Sequence, residues 1–395
     1  MTEPTTEKMT EGTFGFETLA LHAGQDPDRE TGAVVTPIHL SSTFAQKAVG
    51  EHQGFEYSRT GNPTRASLEA TLSALEGAAH GFCFASGMAA EDAVLRRLGA
   101  GEHLIIPNDA YGGTFRLVDK VLRPTGISYT AVNLADPDAI ESAWKPNTRL
   151  VWVETPSNPM LHIIDLERVA SIAHNRGAIC VVDNTFATPY LQQPLMLGAD
   201  AVVHSSTKYL GGHSDVVGGF VATSDDELAT YLGFMQNATG AVPSPFDCYL
   251  VQRGIKTLAV RMDRQCESAA AVAGHLAAHG SVARVLYPGL ESHAGHDVAT
   301  RQMRAYGAMV SFTLRGGEKA ALEAAQKMEV FTLAELLGAV ESLVEHPARM
   351  THASVAGSEL SVDPALLRLS VGLETLSDLL RDLDRALDGA GSAGS

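Results

Sequence analysis

The residues with the clearest chemical character follow an apolar run, Ala201-Val-Val-His204. The run passes directly into Ser205-Ser-Thr-Lys208 and then into glycines. A lysine placed just after a buried strand is poorly solvated. Burial lowers its pKa because the charged form loses hydration, so more of the amine is free to attack an aldehyde carbon. Taken by itself, the segment also allows a solvated surface lysine.

Two other predicted strands end in polar residues. Leu150-Val-Trp-Val-Glu154 runs into Thr155-Pro-Ser-Asn-Pro159, and the run 178–183 ends in Asp183. An acid at the end of a buried strand must be paired, because an unpaired buried charge costs several kcal/mol. A cationic ring nitrogen would pair Asp183. A helix cap or a structural ion pair is the alternative.

Further residues predict an anion site. Ser86-Gly87-Met88 follows a short apolar strand and opens a predicted helix, whose free backbone amides and dipole favour a phosphate. An ordinary helix cap at Ser86 is the alternative. Tyr57 and Arg59, in a turn-rich stretch, could also reach an anion, and Tyr111 could stack on a flat ring.

Alternating strands and helices predict the fold. Between residues 80 and 205 the alternation indicates an α/β domain, with a mainly parallel sheet covered by helices on both faces and ligands beyond the carboxyl ends of its strands. A helix over 256–279 would link it to a smaller α+β domain with strands at 281–287, 308–314, 327–333 and 366–372. The predicted division is an N-terminal arm (1–63), a large domain (64–255) and a smaller domain (256–395).

Composition excludes several classes of protein. A chain of 395 residues suggests two domains, and the net charge of -17 argues against a nucleic-acid partner. The four cysteines lie far apart, so no disulfide framework or thiolate metal site is expected. The N-terminus lacks the apolar core of a signal peptide, and no apolar run approaches the length of a membrane span. We therefore expect a cytoplasmic protein with no membrane partner.

Several motifs together carry a resemblance to a known family. They are Ser86-Gly87-Met88, Tyr111-Gly112-Gly113, Glu154-Thr-Pro-Ser-Asn-Pro159, Val182-Asp-Asn-Thr-Phe186 and the segment from Ser205 through Lys208 to Asp215. In this order they resemble the Cys/Met-metabolism family of pyridoxal-phosphate enzymes, over about residues 18–387. The resemblance implies the fold type I transferase architecture, with pyridoxal 5'-phosphate as cofactor and a small sulfur amino acid as substrate.

The resemblance also implies a role for each site residue. Lys208 would bind the cofactor covalently and move protons, Asp183 would pair with the pyridinium nitrogen, and Tyr111 would stack on the ring and take part in catalysis. The cofactor phosphate would be held by Ser86, Gly87, Met88, Ser205 and Thr207, and from a neighbouring subunit of a homotetramer by Tyr57 and Arg59. The substrate would be bound by Arg368, Asn158, Ser342, Glu341, Glu56 and Tyr57.

Within the family, several residues bear on the reaction. Glu56 and Glu341 could face the distal amino group of cystathionine, and Gly113 stands where methionine γ-lyases typically have cysteine. Leu336 and Ala339 depart from the family's usual Ser and Gly and would make the pocket more apolar. We expect cystathionine γ-lyase activity, giving cysteine, 2-oxobutanoate and ammonia. Cystathionine γ-synthase is the first alternative and methionine γ-lyase the second.

Two readings from other classes are disfavoured. A relative that has lost catalysis and serves as a binding protein would lack one of Lys208, Asp183 or Arg368, and all three are present. A nucleotide-binding dehydrogenase would need Gly-x-Gly-x-x-Gly after its first strand, and that run is missing there.

Overall fold

The computed structural model describes residues 14–351 and 362–388. Within these residues the chain forms twelve strands and thirteen α-helices. The strands are β1 (His80–Phe84), β2 (His103–Pro107), β3 (Ser128–Val132), β4 (Thr148–Glu154), β5 (Ile179–Asp183), β6 (Ala201–Ser205), β7 (Gly219–Thr223), β8 (Val282–Leu286), β9 (Met309–Leu314), β10 (Thr332–Leu333), β11 (Leu343–Glu345) and β12 (Leu366–Ser370).

The helices fill the intervals between these strands. They are α1 (Phe16–His22), α2 (Pro63–Glu76), α3 (Gly87–Leu95), α4 (Gly112–Arg116), α5 (Pro137–Ala143), α6 (Leu166–His174), α7 (Thr188–Leu191), α8 (Asp226–Thr239), α9 (Pro245–Ile255), α10 (Leu258–Ala278), α11 (His296–Gln302), α12 (Gly317–Lys327) and α13 (Leu376–Asp388). A π-helical turn, Leu117–Leu122, continues α4.

The larger sheet has the order β1-β7-β6-β5-β4-β2-β3. The strands from β6 to β3 pair in parallel, whereas β7 is antiparallel to both of its neighbours, β6 and β1. This arrangement confirms the predicted α/β class with a mainly parallel sheet. The carboxyl ends of the parallel strands therefore share one edge, where the polar residues of the sequence motifs emerge.

Both faces of this sheet are covered, as the continuous apolar strands require. In β4, Leu150 and Trp152 belong to one buried apolar cluster, whereas Val151 and Val153 belong to another on the opposite face. Successive side chains of a strand point to opposite faces, so each strand contributes to both clusters. This packing buries the strands from both sides.

Caps fix where two helices near the site begin. The Asn62 side chain accepts hydrogen bonds from the backbone amides of Thr64 at 2.9 Å and Arg65 at 3.3 Å. The Ser86 hydroxyl accepts from the Ala89 amide at 3.1 Å. Side-chain oxygens at these positions satisfy amides that have no partner within the helix. The start of α3 is thereby held at the end of β1.

The smaller sheet has the order β10-β11-β12-β9-β8, with antiparallel pairs except between β10 and β11. It confirms a second, smaller sheet after the large one. α10 and α12 pack against this sheet, and α13 packs against those two helices. Arg368 lies on β12, between Glu345 on β11 and Ser311 on β9. The placement of the domain boundaries at 63/64 and 255/256 stays a prediction.

One predicted strand, 327–333, is wrong over most of its length. α12 continues to Lys327, and extended pairing covers only Thr332–Leu333. The alanines of α12 at positions 320, 321, 324 and 325 form a buried helical face, and this 3.6-residue periodicity carries the helix to Lys327. The elements β7, β11, α7, α8, α9 and α11 were not predicted from the sequence.

The described residues contain no helix that is both long and apolar enough to cross a membrane. They also contain no group of three or more histidine, cysteine or acidic side chains arranged to hold a metal ion.

Candidate active site

The site lies in a cavity at the carboxyl edge of the parallel strands. Glu154 and Asp183 are the last residues of β4 and β5 and stand in register. Lys208 follows β6 by a short turn, closed by a hydrogen bond from its amide to the Ser205 carbonyl at 3.2 Å. All three line the cavity, together with Tyr111, whose element follows β2. The parallel sheet thus gathers residues that are far apart in sequence.

The Lys208 amine has the properties of a nucleophile. Burial, and then the positive charge of Arg368, lower its pKa to about 8, although Glu345 and Asp183 act in the opposite direction. Roughly a tenth of the amine is therefore free at pH 7, far more than for an ordinary lysine, in the direction that the sequence indicated. This amine can condense with an aldehyde or carry a proton.

The anion site predicted at the start of α3 fits a phosphate. Ser86, Gly87, Met88, Ser205 and Thr207 all line the same cavity. A Cβ atom at Gly87 would lie only 2.9 Å from Cβ of Ser205, so glycine is needed where the helix approaches the turn that carries Lys208. Free amides at the N-terminus of α3, facing two hydroxyl-bearing residues, are suited to a phosphate.

Asp183 is suited to a cationic ring nitrogen. One of its oxygens accepts the Thr185 amide at 2.9 Å. Burial raises the pKa of Asp183, whereas the hydrogen bonds from Thr185 and the nearby His204 and Lys208 lower it. A protonated pyridine nitrogen would supply the positive charge that a buried carboxylate needs.

Tyr111 presents its ring to the cavity. Its amide donates to Oε2 of Glu154 at 2.8 Å, and Nε1 of Trp152 donates to Oε1 of the same carboxyl at 3.1 Å. Burial raises the pKa of Tyr111, so its phenol stays protonated. The fixed backbone lets the ring stack on a planar ligand.

Gly113 makes the position of this ring possible. A Cβ atom there would lie 2.4 Å from the Tyr111 ring and 2.8 Å from Sδ of Met88. The Tyr111 ring and Met88 therefore leave no room for a side chain at position 113.

Arg368 enters the cavity from the smaller sheet. It is 2% exposed and its Nη1 donates to Oδ1 of Asn158 at 2.8 Å. Its Nη2 donates to the Leu336 carbonyl at 3.3 Å and to the carboxylate of Glu345. Arg368 thus connects the loop after β4 with β11 and with the loop between β10 and β11.

The other sequence-predicted residues lie outside this cavity of the single chain. Ser342 is buried, and its hydroxyl donates to Glu374 at 2.7 Å and accepts the Gly372 amide at 2.8 Å. Glu341 is exposed, with one oxygen 3.5 Å from Oγ of Ser214. The remaining three, Glu56, Tyr57 and Arg59, are exposed on the N-terminal segment.

The two departures from the family pattern lie beside the cavity. Leu336 reaches the site through its backbone carbonyl, and Ala339 is buried with its carbonyl accepting Nε2 of Gln265 at 2.7 Å. Among the described residues of this segment, Glu335 and Leu337 line the cavity, whereas Leu336 and Ala339 do not.

Sequence reasoning missed two buried acids, Glu91 and Glu345. Glu91 is 4% exposed and lines the cavity, and burial raises its pKa well above the ordinary value, with contributions from Asp183 and Glu154. Its position one turn after Gly87, on the inward face of α3, could have revealed it. Glu345 had no such signal, because its partner Arg368 is distant in the sequence.

Comparison with known proteins agrees with this geometry. Residues 17–388 match the family model described as Cys/Met metabolism PLP-dependent enzyme. The chain is 58% identical to cystathionine gamma-synthase of Mycobacterium tuberculosis, over 95% of this chain and 98% of that protein. It is 52% identical to cystathionine beta-lyase of Lactococcus lactis subsp. cremoris, over 94% and 99%.

A solved structure is also similar. Cystathionine gamma-lyase from Lactobacillus plantarum, complexed with L-serine, is 45% identical with a TM-score of 0.92, covering 95% of this chain and 99% of that one. The family match spans the sheet, the cavity and the smaller domain. The chain therefore belongs to the Cys/Met-metabolism family of enzymes that depend on pyridoxal phosphate.

Proposed function

We propose that this protein is a cystathionine γ-synthase. It would join the sulfur of cysteine to Cγ of an O-acylated homoserine, breaking the Cγ–O bond and releasing the carboxylate of the ester. The observation that carries this proposal is the 58% identity, over 95% of the chain, to a relative named cystathionine gamma-synthase. The γ-lyase first expected from the sequence is the second candidate.

The side chains of the cavity support γ-chemistry. In this family the bound cofactor stores the electron pair that is released when the Cα–H bond breaks. Lys208 would take that proton at Nζ, since burial lowers the pKa of the amine to about 8. Asp183 would keep the ring nitrogen protonated. Tyr111 would stack on the ring, and its protonated phenol could donate a hydrogen bond at the substrate.

Arg368 would orient the substrate by binding its α-carboxylate. An arginine that is 2% exposed and lines the cavity provides a charged fork that recognises a carboxylate. Asn158 would help, because its side-chain oxygen fixes Nη1 of Arg368 at 2.8 Å. Ser342 and Glu341 lie outside the cavity of the single chain and stay predicted substrate contacts.

Cleavage of cystathionine by γ-elimination needs the same groups. It differs in what Cγ receives after the leaving group departs, which is a proton rather than the thiol of cysteine. The solved gamma-lyase with 45% identity supports it as the second candidate. Methionine γ-lyase is less favoured, because the Tyr111 ring and Met88 occupy the space that a cysteine at position 113 would need.

We infer a homotetramer in which each cavity is completed by a neighbouring subunit. Arg59 stacks on Tyr57 at 5.6 Å and its Nη1 donates to the Asn237 carbonyl at 2.9 Å, outside the cavity of its own chain. The preceding segment exposes apolar side chains, with Val34 77% and Leu40 74% exposed. A second copy of the chain would cover them and receive Tyr57 and Arg59 at its phosphate site, with Glu56 nearby. Cytoplasmic location stays a prediction.

Product analysis tests the reaction. The purified protein, loaded with pyridoxal phosphate, is given O-succinylhomoserine or O-acetylhomoserine with cysteine, L-cystathionine alone, and L-methionine alone. We expect cystathionine from the first mixture and little turnover in the other two. Cysteine with 2-oxobutanoate from cystathionine, without synthesis in the first mixture, would make the protein a γ-lyase. Homocysteine with pyruvate would indicate β-elimination, and methanethiol from methionine a methionine γ-lyase.

A further inference from the structure

The guanidinium of Arg368 is largely occupied before any substrate arrives. Nη2 donates both to the Leu336 carbonyl and to the carboxylate of Glu345, and Nη1 donates to Asn158. Among the described residues, Nε of Arg368 has no partner, although it is buried. Nε and Nη2 form one edge of the guanidinium fork, where a carboxylate binds with two hydrogen bonds. Glu345 already accepts a hydrogen bond from Nη2, one of the two donors on that edge.

The smaller sheet fixes Glu345 in this position. Glu345 and Arg368 are directly opposite each other on the antiparallel strands β11 and β12, so their side chains share one face. Their side chains are only 1% and 2% exposed. The second oxygen of Glu345 accepts a hydrogen bond from the Thr351 hydroxyl. Glu345 therefore cannot swing into solvent when a second carboxylate approaches.

The charges of this pair oppose the substrate. Glu345 and Arg368 neutralise each other, so the α-carboxylate of an amino acid would bring a second anion to one cation. Water screens buried charges poorly, and the repulsion between the two carboxylates therefore persists inside the cavity. The carboxylate of Glu335 also acts on Arg368 and adds to the negative charge.

We propose that Glu345 competes with the substrate α-carboxylate for Arg368 and so sets how tightly the enzyme binds amino acids. This inference rests on the proposed role of Arg368 in binding the substrate carboxylate. Glu345 keeps the buried guanidinium paired and directed into the cavity between turnovers, and weakens the binding of substrate and product alike. Weakening both to the same extent raises KM and speeds product release.

The test compares two ligands in the wild type and the Glu345→Gln variant. Gln keeps the acceptor for Nη2 and removes the negative charge. Both proteins, loaded with pyridoxal phosphate, are titrated with L-alanine and L-alaninamide, which have no leaving group, and binding is followed by the absorption of the cofactor. We expect the Kd of alanine to fall about three- to tenfold in the variant, and that of the amide to stay the same.

The result is independent of which reaction the enzyme catalyses, because neither ligand can undergo γ-replacement or γ-elimination. An unchanged or higher Kd for alanine in Glu345→Gln would overturn the proposal. So would an equal fall for both ligands, since that would reflect a general change of the pocket.

If Glu345→Gln does not fold, the Glu345→Asp variant tests the same proposal. Its shorter carboxylate is withdrawn from Nη2 while the charge is kept, so we expect a smaller fall in the Kd of alanine with the amide unchanged. No fall in the Kd of alanine would again contradict the proposal.

Discussion

Glu154 and Asp183 end adjacent parallel strands in exact register, so two carboxyl groups stand side by side in a buried cavity. Burial, with the nearby charge of Asp183, raises the pKa of Glu154 to about 8. Glu154 is therefore largely neutral at pH 7 and can position Tyr111 through the amide hydrogen bond without adding a full charge. This leaves Asp183 as the acid placed to pair with a cationic ring.

Replacing Lys208 by Ala should abolish activity. Removing the amine takes away both the covalent attachment of the cofactor and the base, and we expect a loss of roughly 10³-fold or more in kcat. The visible absorption band that borohydride reduces should disappear as well. Lys319→Ala is a matched control, because Lys319 is 72% exposed and forms only a 3.9 Å surface pair. Full activity in Lys208→Ala would disprove the assignment.

The cofactor-free protein should capture pyridoxal phosphate in a pH-dependent way. Only the free amine attacks the aldehyde, and the pKa of Lys208 is lowered to about 8. The rate constant should therefore rise with pH and level off above about pH 8, whereas with an ordinary lysine, whose pKa is 10.5, it would continue to rise to about that pH. Stopped-flow absorbance measures this rate. A rate that still rises steeply at pH 10 would contradict the buried amine.

Replacing Asp183 by Asn should impair catalysis more than cofactor binding. Asn keeps the size of the side chain but cannot hold a positive charge on the ring nitrogen, so the cofactor would store electrons less well. We expect kcat to fall about 10²- to 10⁴-fold, with the phosphate contacts intact. Equilibrium dialysis and steady-state kinetics separate the two effects. Asp200→Asn is the control, because it makes the same substitution at an aspartate outside the cavity.

Glu91→Gln should stabilise the protein relative to the wild type as the pH rises. The pKa of Glu91 is raised well above its ordinary value, first by burial and then by Asp183 and Glu154. The folded state thus holds a proton that the unfolded state releases above its pKa of about 4.3. The wild-type contribution from Glu91 therefore declines from about pH 4.3 upwards, and Gln does not titrate.

The difference in Tm, variant minus wild type, should consequently grow from pH 5 to pH 8. Thermal unfolding at the two pH values measures it. Asp92→Asn, one residue further along α3, is the control, because its side chain is partly exposed and paired with Arg96. A difference that stays constant or shrinks would mean that Glu91 is ionised in the folded protein.

Mixing two inactive variants tests the shared cavity. Arg59→Ala would damage the phosphate site of the neighbouring subunit, and Lys208→Ala the site of its own subunit. In a mixed pair, one cavity combines Lys208 of the Arg59→Ala chain with Arg59 of the Lys208→Ala chain. After unfolding and refolding together, the mixture should show activity that neither variant has alone. No recovery would argue for cavities formed within single chains.

The α/β class, most strands of the large sheet and the residues at its carboxyl edge could be predicted from local sequence patterns. Lys208, Asp183 and the glycine at position 87 could be predicted because strand periodicity and local turn chemistry depend on neighbouring residues. The order of those local motifs also sufficed for the family. The strand predicted over 327–333 is wrong over most of its length. Its first residue, Lys327, belongs to α12, whose buried face consists of alanines.

The contacts between segments distant in the sequence could not be predicted in this way. The antiparallel strand β7 and the pairing of Glu345 with Arg368 depend on sheet register between segments that local patterns do not connect. The acidity of Glu91 and Glu154 likewise depends on burial beside Asp183, which comes from a different strand. Local chemistry therefore identified the reacting groups. Non-local packing fixed their charges and partners, because burial and strand pairing are properties of the folded chain.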